Sequence, residues 1–204
     1  LFTIILIFGE IDKFYLLFKS KKKIIFLSIT AFLITINWMG FIFAVSINRV
    51  QDASMGYYMT PMISIILGYI FLKEKMNSLK LISVIMMFFS LVFLLISLKT
   101  LPILAVLIGT TWGFYGLLRK QINVKSEIGL LYESGLISMI SIPYIVYLAY
   151  SGTGYFLNSS NINSIFLILT GAVTIFPLFF FNLGVKFIPL GFAGVIFFLT
   201  PSLD

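Results

Sequence analysis

Few side chains in this sequence can carry acid–base, nucleophilic or metal chemistry. The chain has neither cysteine nor histidine, which argues against zinc or haem ligation and against the usual Ser-His or Cys-His catalytic pairs. Its seven acidic residues are scattered, without a paired acidic metal motif. We therefore expect no catalytic residue, no metal site and no cofactor. What remains is a carboxylate inside an apolar stretch, together with polar and aromatic residues inside other apolar stretches.

The carboxylate is Glu133, about five residues from the end of its apolar stretch. An ionised carboxylate at the bilayer centre costs about 2.5–3.5 kcal/mol on insertion scales, and less nearer the interface. Two interpretations stay open. Glu133 is a proton-coupling group or forms an ion pair with Arg119 or Lys120, or it merely stabilises the start of its helix through the helix dipole, worth about 0.3–1 kcal/mol.

Pro61 lies nine residues into another apolar stretch. It has no N–H for the carbonyl of Tyr57, so it kinks a helix at that point. A carbonyl freed in this way can bind a polar group of a solute, and a kink can act as a hinge. The alternative is a static packing kink in which the Thr60 hydroxyl satisfies the carbonyl.

Trp112, Tyr115 and Arg119 follow a spacing of three and four residues and share one helical stripe. One interpretation is that these aromatic side chains line a path for organic solutes. The alternative is that they are ordinary packing residues. Asn37 carries an amide within hydrocarbon and is expected to face the protein interior. The residues predicted to line a solute pathway are Asn37, Trp38, Tyr57, Tyr58, Thr60, Pro61, Trp112, Tyr115, Thr200 and Pro201.

The elements that position these residues are membrane-spanning helices. The chain is 60% hydrophobic and only 10% charged, and a bilayer core about 30 Å thick needs roughly 20 apolar residues. The predicted spans are Ile24–Val45, Ala53–Leu72, Leu81–Leu98, Leu101–Leu118, Ile128–Tyr150 and Ser164–Val185. The short segments Leu1–Phe8 and Phe187–Asp204 are interpreted as partial spans of a longer protein. Gly109, Gly113 and Gly116 lie on one helix face and predict a close helix–helix contact.

Lysine and arginine alternate between successive loops. Twelve fall in alternate loops and only two in the loops between them. The positive-inside rule therefore places the loops near residues 19–23, 73–80 and 119–127 in the cytoplasm, in a multi-pass protein of the inner membrane. The net charge of +7 does not indicate nucleic-acid binding, because the cations lie in short loops and not on one solvated face.

A shift of 140 residues aligns two segments of the chain. Thr30, Phe41, Val45, Ala53, Thr60 and Pro61 fall on Thr170, Phe181, Val185, Ala193, Thr200 and Pro201. The loop before Ala53 is predicted outside and the loop before Ala193 inside, so the two copies are expected to run in opposite directions. Inverted repeats are the architecture of many secondary transporters. The alternative is a coincidence of membrane composition.

The sequence also resembles a known family. The similarity is carried, in order, by Asn37–Val45, Ala53–Tyr58, Leu67-Gly68, Phe71–Lys75, Phe114–Lys120, Gly129–Glu133 and Leu190–Phe192. These segments resemble the RarD branch of the EamA transporters, in the drug/metabolite transporter superfamily. One departure is Thr60-Pro61, where that family usually has Asn-Pro.

The resemblance implies an all-α membrane protein, a multi-span helical bundle of two inverted five-helix repeats. About 7–8 spans would be present here: residues 1–99 would hold helices 2–5 of the first repeat, and residues 100–204 helices 6–9 of the second.

The function expected from these features is a secondary carrier that moves a small organic solute by alternating access. Its partners would be the lipid bilayer and that solute, with a homodimer left open. Two alternatives remain at this point: a truncated remnant that inserts without cycling, and an integral-membrane enzyme acting on lipid. The scattered acids disfavour the enzyme.

Overall fold

The computed structural model describes residues 11–98, 102–154, 156 and 161–196. In these ranges the chain forms helices and loops without a β-strand. The helices are α1 (Ile11–Leu17), α2 (Lys21–Ser46), α3 (Val50–Leu72), α4 (Ser78–Leu98), α5 (Ile103–Gln121), α6 (Ser126–Tyr150), α7 (Asn161–Gly184) and α8 (Leu190–Ile196). The all-α prediction is confirmed, and α2 to α7 match the six predicted spans to within a few residues. Leu1–Phe8 and residues 197–204 lie outside the described residues.

Within the described ranges, four helices are long and apolar enough to cross a membrane, namely α2, α3, α6 and α7. Their outward side chains are large and apolar. Phe166 and Ile168 of α7, for example, are 62% and 65% exposed. Such surface is unfavourable in water but costs nothing against lipid tails. The chain is a multi-pass membrane protein.

The described chain divides into two compact units. Unit 1 comprises Leu1–Ala31 and Val124–Leu183, and unit 2 comprises Phe32–Asn123 and Gly184–Asp204. The boundary falls inside α2, so this long helix contributes its first part to unit 1 and the remainder to unit 2. Each unit draws on both halves of the sequence.

Unit 2 is built around α3, which packs against α4, α5 and α8. Glycines allow α3 and α5 to approach closely. A Cβ atom on Gly113 would lie 2.6 Å from Cγ2 of Ile63, and one on Gly109 would lie 3.0 Å from the carbonyl oxygen of Gly56. The predicted close contact is thus confirmed at Gly109 and Gly113. Such contacts bring backbones together in a solvent that provides no hydrophobic drive between helices.

Helices α3 and α8 contact each other and run in opposite directions. A Cβ atom on Gly191 would lie 2.8 Å from Cγ1 of Ile65, and one on Gly194 would lie 3.0 Å from Cα of Pro61. Residue numbers fall along α3 as they rise along α8, which defines an antiparallel pair. The 140-residue shift aligns α3 with α8, and the opposite directions of these two helices are the ones expected for this part of the aligned segments.

Unit 1 brings the first part of α2 against α6. Ser28 and Tyr132 share a hydroxyl–hydroxyl hydrogen bond of 2.9 Å, and the Phe18 ring lies 6.1 Å from the Tyr132 ring. Next to these contacts, the same two helices bury a polar pair that contains Glu133.

Candidate functional site

Glu133 is buried in unit 1 with a direct hydroxyl partner. Its side chain is only 3% exposed. The Thr30 hydroxyl, itself fully buried, donates a 2.6 Å hydrogen bond to Oε1 of Glu133. The Thr30 hydroxyl also lies 2.9 Å from the carbonyl oxygen of Leu27, one turn back on α2. A buried, hydrogen-bonded acid within a span is the feature from which proton relays are built.

The Thr30 hydroxyl can serve Glu133 in either of its charge states. A hydroxyl has one proton and two lone pairs. It can therefore donate to Glu133 or to the Leu27 carbonyl, but not to both at once. An ionised Glu133 accepts the proton of Thr30. A protonated Glu133 donates to Oγ1 of Thr30, which then donates to the Leu27 carbonyl. Sequence reasoning missed this role, because Thr30 entered it only as one of the repeat identities.

Lys120 has a carboxylate partner that the sequence prediction did not name. Its Nζ lies 3.5 Å from Oε1 of Glu74. It also donates to the carbonyl oxygens of Val185, at 3.1 Å, and of Ile188. Lys120 thus contacts the turn that precedes α8. The neighbouring Arg119 is fully buried in α5.

Asn37 faces the protein interior, as its amide predicts. It is 4% exposed, and its Nδ2 donates to the carbonyl oxygen of Ile108 at 2.7 Å and to the hydroxyl of Thr111 at 3.0 Å. These bonds tie the second part of α2 to α5 within unit 2. Trp38, the next residue, is 38% exposed.

Pro61 lies in the contact between α3 and α8, and Thr60 precedes it. Both are buried, and the Thr60 hydroxyl donates to the carbonyl oxygen of Gly56 at 3.0 Å. Pro61 has no N–H to donate to the carbonyl oxygen of Tyr57. The carbonyl that Thr60 binds is the one before it. Thr200 and Pro201, the equivalent pair after the shift, lie outside the described residues.

The aromatic residues of the predicted pathway pack among themselves and their neighbours. The rings of Trp112 and Tyr115 lie 5.7 Å apart at 39°, and Tyr115 is fully buried. Tyr57 lies 6.0 Å from the Phe41 ring. Tyr58 is partly exposed and lines a wide groove of about 680 Å³ together with α4 residues such as Phe89.

A second cavity, which sequence reasoning missed, lies between α3, α4 and α5. Its volume is about 510 Å³. Helix α3 contributes Met55, Met59 and Met62, at a spacing of four and three residues that places them on one face. Phe88 of α4 and Thr110 of α5 also line it. We call this the methionine cleft. The methionine spacing was the available signal in the sequence.

The described ranges contain no group of three or more His, Cys, Asp or Glu side chains placed to hold a metal ion. Two of the acids instead pair with a basic residue close by in the sequence. Asp52 pairs with Arg49 at 2.7 Å, and Glu127 lies 4.0 Å from Lys125.

The family model and the first two relatives that match this chain are described as transporters. The EamA-like transporter family model matches residues 1–96. The chain is 33% identical over 185 residues to an uncharacterized transporter of Vibrio cholerae, covering 90% of this chain and 61% of the relative. It is 32% identical over 188 residues to the uncharacterized transporter YojE of Bacillus subtilis, covering 91% and 61%. No solved structure matches the chain significantly.

A third relative is similar to nearly the whole of this chain. The chain is 32% identical over 187 residues to Protein RarD of Escherichia coli, covering 92% of this chain and 63% of that protein. Residues 1–96 thus match the EamA-like transporter family model, and the chain is similar to RarD over 92% of its length. It spans about three fifths of the length of the curated relatives that it matches.

Proposed function

We propose that this chain acts in a secondary carrier that moves a small, mainly apolar organic solute across the inner membrane by alternating access. The observation that carries the proposal is the methionine cleft. At about 510 Å³ it falls within the range of roughly 300–1,000 Å³ that is usual for small-molecule sites.

The lining of the cleft indicates the class of solute. Met55, Met59 and Met62 have flexible, polarizable side chains that adapt to ligands of different shapes. Phe88 adds an aromatic surface, which a flat ring can contact. The Thr110 hydroxyl donates to the Val106 carbonyl at 2.5 Å, so its proton is already used within α5. A solute with an apolar or aromatic body fits this lining better than a sugar or an ion.

The antiparallel pair α3 and α8 supports alternating access. Carriers built from inverted repeats change access by exchanging the conformations of two similar halves. The proposed repeats are residues 1–99 and 100–204, and the family match to residues 1–96 supports the first of them. In unit 2 the corresponding helices of the two repeats contact directly, through Ile65 and Gly191.

The proposed orientation places the ends of α3 and α5 in the cytoplasm. Lys120 contacts Glu74 and the carbonyl oxygen of Val185. These contacts join, at one end of unit 2, the loops near residues 73–80 and 119–127 and the loop between α7 and α8, all three of which are predicted to be cytoplasmic. This agreement supports the alternation of cations read from the sequence.

Glu133 is proposed as the proton-coupling group, with Thr30 as the residue that positions its carboxyl. A coupling acid must take up and release a proton without leaving a buried polar atom unsatisfied in either state. The hydroxyl that lies 2.6 Å from Glu133 meets that requirement.

Uptake into proteoliposomes tests the assignment of the cleft. Met59→Gln keeps the length of the side chain but places an amide against the solute, so uptake of an aromatic solute should fall at least about tenfold. The matched control is Met139→Gln, because Met139 lies on α6 and is 74% exposed. Equal uptake by both variants and the parent protein would remove the cleft from the pathway.

A further inference from the structure

One end of unit 2 is held together by a charged contact among three segments. Glu74, just after α3, accepts a 2.7 Å hydrogen bond at Oε1 from the backbone N–H of Leu190, the first residue of α8. Lys120, at the end of α5, lies 3.5 Å from the same oxygen and donates to the carbonyl oxygens of Val185 and Ile188. The Glu74 and Lys120 side chains are only 16% and 19% exposed.

The local backbone is arranged to aim Glu74 at α8. Lys73 has a left-handed conformation, with φ at 52°, which an L residue adopts at a cost. The chain therefore turns back, and the N–H of Glu74 donates to the Gly68 carbonyl at 3.1 Å. The carboxylate then lies over Gly68, where a Cβ atom would be 2.7 Å from Oε2 of Glu74. Only a glycine leaves room for it.

We propose that Glu74 and Lys120 form a clasp that holds the first turn of α8 against α3 and α5, and that opening of this clasp is the step that frees α8. The two side chains have complementary tasks. Glu74 accepts from the N–H that begins α8, whereas Lys120 donates to two carbonyls of the turn before it. An ordinary surface ion pair has neither backbone contact and contributes little.

The contact between α3 and α8 also includes two glycines of α8. Gly191 and Gly194 present backbone to Ile65, Ser64 and Pro61, so no long side chain of α8 at these two positions interlocks with α3. The charged end of the contact is therefore well placed to set whether α8 stays docked.

Neighbouring lysines make the negative charge of Glu74 important for the clasp. Lys75 and Lys80 line a small void beside Glu74, together with Tyr69 and Gly191. The Lys80 ammonium donates to the Lys75 carbonyl at 3.3 Å. Removal of the Glu74 charge would leave these lysines and Lys120 without the carboxylate between them, which favours separation of the segments.

The docking of α8 can be measured without a solute, so the clasp and the proposed transport function are tested separately. The chain contains no cysteine, and Leu190 is 1% exposed. A Leu190→Cys reporter keeps the backbone N–H that Glu74 binds. Its thiol becomes accessible to a maleimide reagent when α8 leaves α3.

We expect Glu74→Gln and Lys120→Met to raise the labelling rate of this reporter at least about tenfold, the effect of losing one charge-assisted contact. Gly68→Ala should do the same, because its methyl group displaces the carboxylate while every charge is kept. Lys21→Met is the matched control and should leave the rate unchanged, because Lys21 is exposed in α2 of unit 1. Elution as a single species and retained helical circular dichroism show that each variant is folded.

The exchanged pair Glu74→Lys/Lys120→Glu separates a clasp from a simple ion pair. The exchange restores opposite charges, but a lysine at position 74 cannot accept from the Leu190 N–H and a glutamate at position 120 cannot donate to carbonyls. We expect labelling to stay fast. Slow labelling of the exchanged pair, or unchanged labelling of the three folded single variants, would overturn the proposal.

Discussion

The hydroxyl of Thr30 donates a 2.6 Å hydrogen bond to the carboxylate of Glu133, and both side chains are buried. The pair joins the first part of α2 to α6 inside unit 1. A carboxyl group in this setting is costly unless it is hydrogen-bonded. The bond therefore matters both for the stability of unit 1 and for the proposed use of Glu133 as a proton carrier.

Removal of the Thr30 hydroxyl should affect both properties. Thr30→Val preserves the shape but leaves Glu133 without this donor, and we expect a loss of about 1.5–3 kcal/mol in stability together with slower proton-driven uptake. Thr30→Ser should retain both. Thermal unfolding in detergent and uptake into proteoliposomes are the measurements. The control is Thr170→Val, an exposed position whose hydroxyl bonds only within α7, to the Leu167 carbonyl, among the contacts described.

Asn37 should contribute to stability through its two bonds to α5. Asn37→Leu removes the donations to the Ile108 carbonyl and the Thr111 hydroxyl. Hydrogen bonds between membrane helices contribute about 0.6 kcal/mol on average and up to about 1.7 kcal/mol, so a loss in that range is expected. Reversible unfolding in mixed micelles measures it. A stability equal to that of the parent protein would show that Asn37 does not tie α2 to α5.

Close packing of α3 and α5 can be tested at Gly113. The methyl group of Gly113→Ala would collide with Ile63, and we expect a loss of about 1–3 kcal/mol. A second substitution, Ile63→Ala, makes room and should recover part of that loss. Gly171→Ala is the control, because a Cβ atom there meets nothing within 4 Å. If Gly113→Ala unfolds like the control, the contact is looser than described.

The hinge assignment of Pro61 has its own test. Pro61→Ala restores an N–H to α3 next to Gly194 and removes the cause of the predicted kink. If the kink is used during the cycle, uptake falls several-fold while the folded protein becomes no less stable. Full uptake by Pro61→Ala would reduce the kink to a packing feature.

The spans and the opposite directions of α3 and α8 could be predicted from the sequence, because the physics behind them is local. Apolar length defines a span, loop charge defines its direction, and small residues such as Gly113 mark close contacts. Residue partners across helices could not be predicted in the same way. Glu133 was linked with either Arg119 or Lys120, and the structure places Lys120 beside Glu74. The helix rotation and depth that decide such partners are set by the packing of whole helices.

The predicted solute pathway shows the same difference. Asn37 and Tyr115 were chosen as polar or aromatic residues within spans, and the structure buries both in helix contacts. Periodicity alone does not tell whether an interior face meets another helix or a cavity. The methionine cleft depends on where α4 passes α3 and α5, which is not encoded in any single helix.

Proton-driven uptake by Glu133→Gln is the most direct test of the proposed carrier. Proteoliposomes containing the parent protein or the variant would be given an aromatic solute, with and without an imposed proton gradient. We predict that the gradient accelerates uptake by the parent protein several-fold and that Glu133→Gln abolishes this acceleration while gradient-independent exchange persists. Flux that is independent of the gradient in the parent protein, or equal acceleration in Glu133→Gln, would contradict the account.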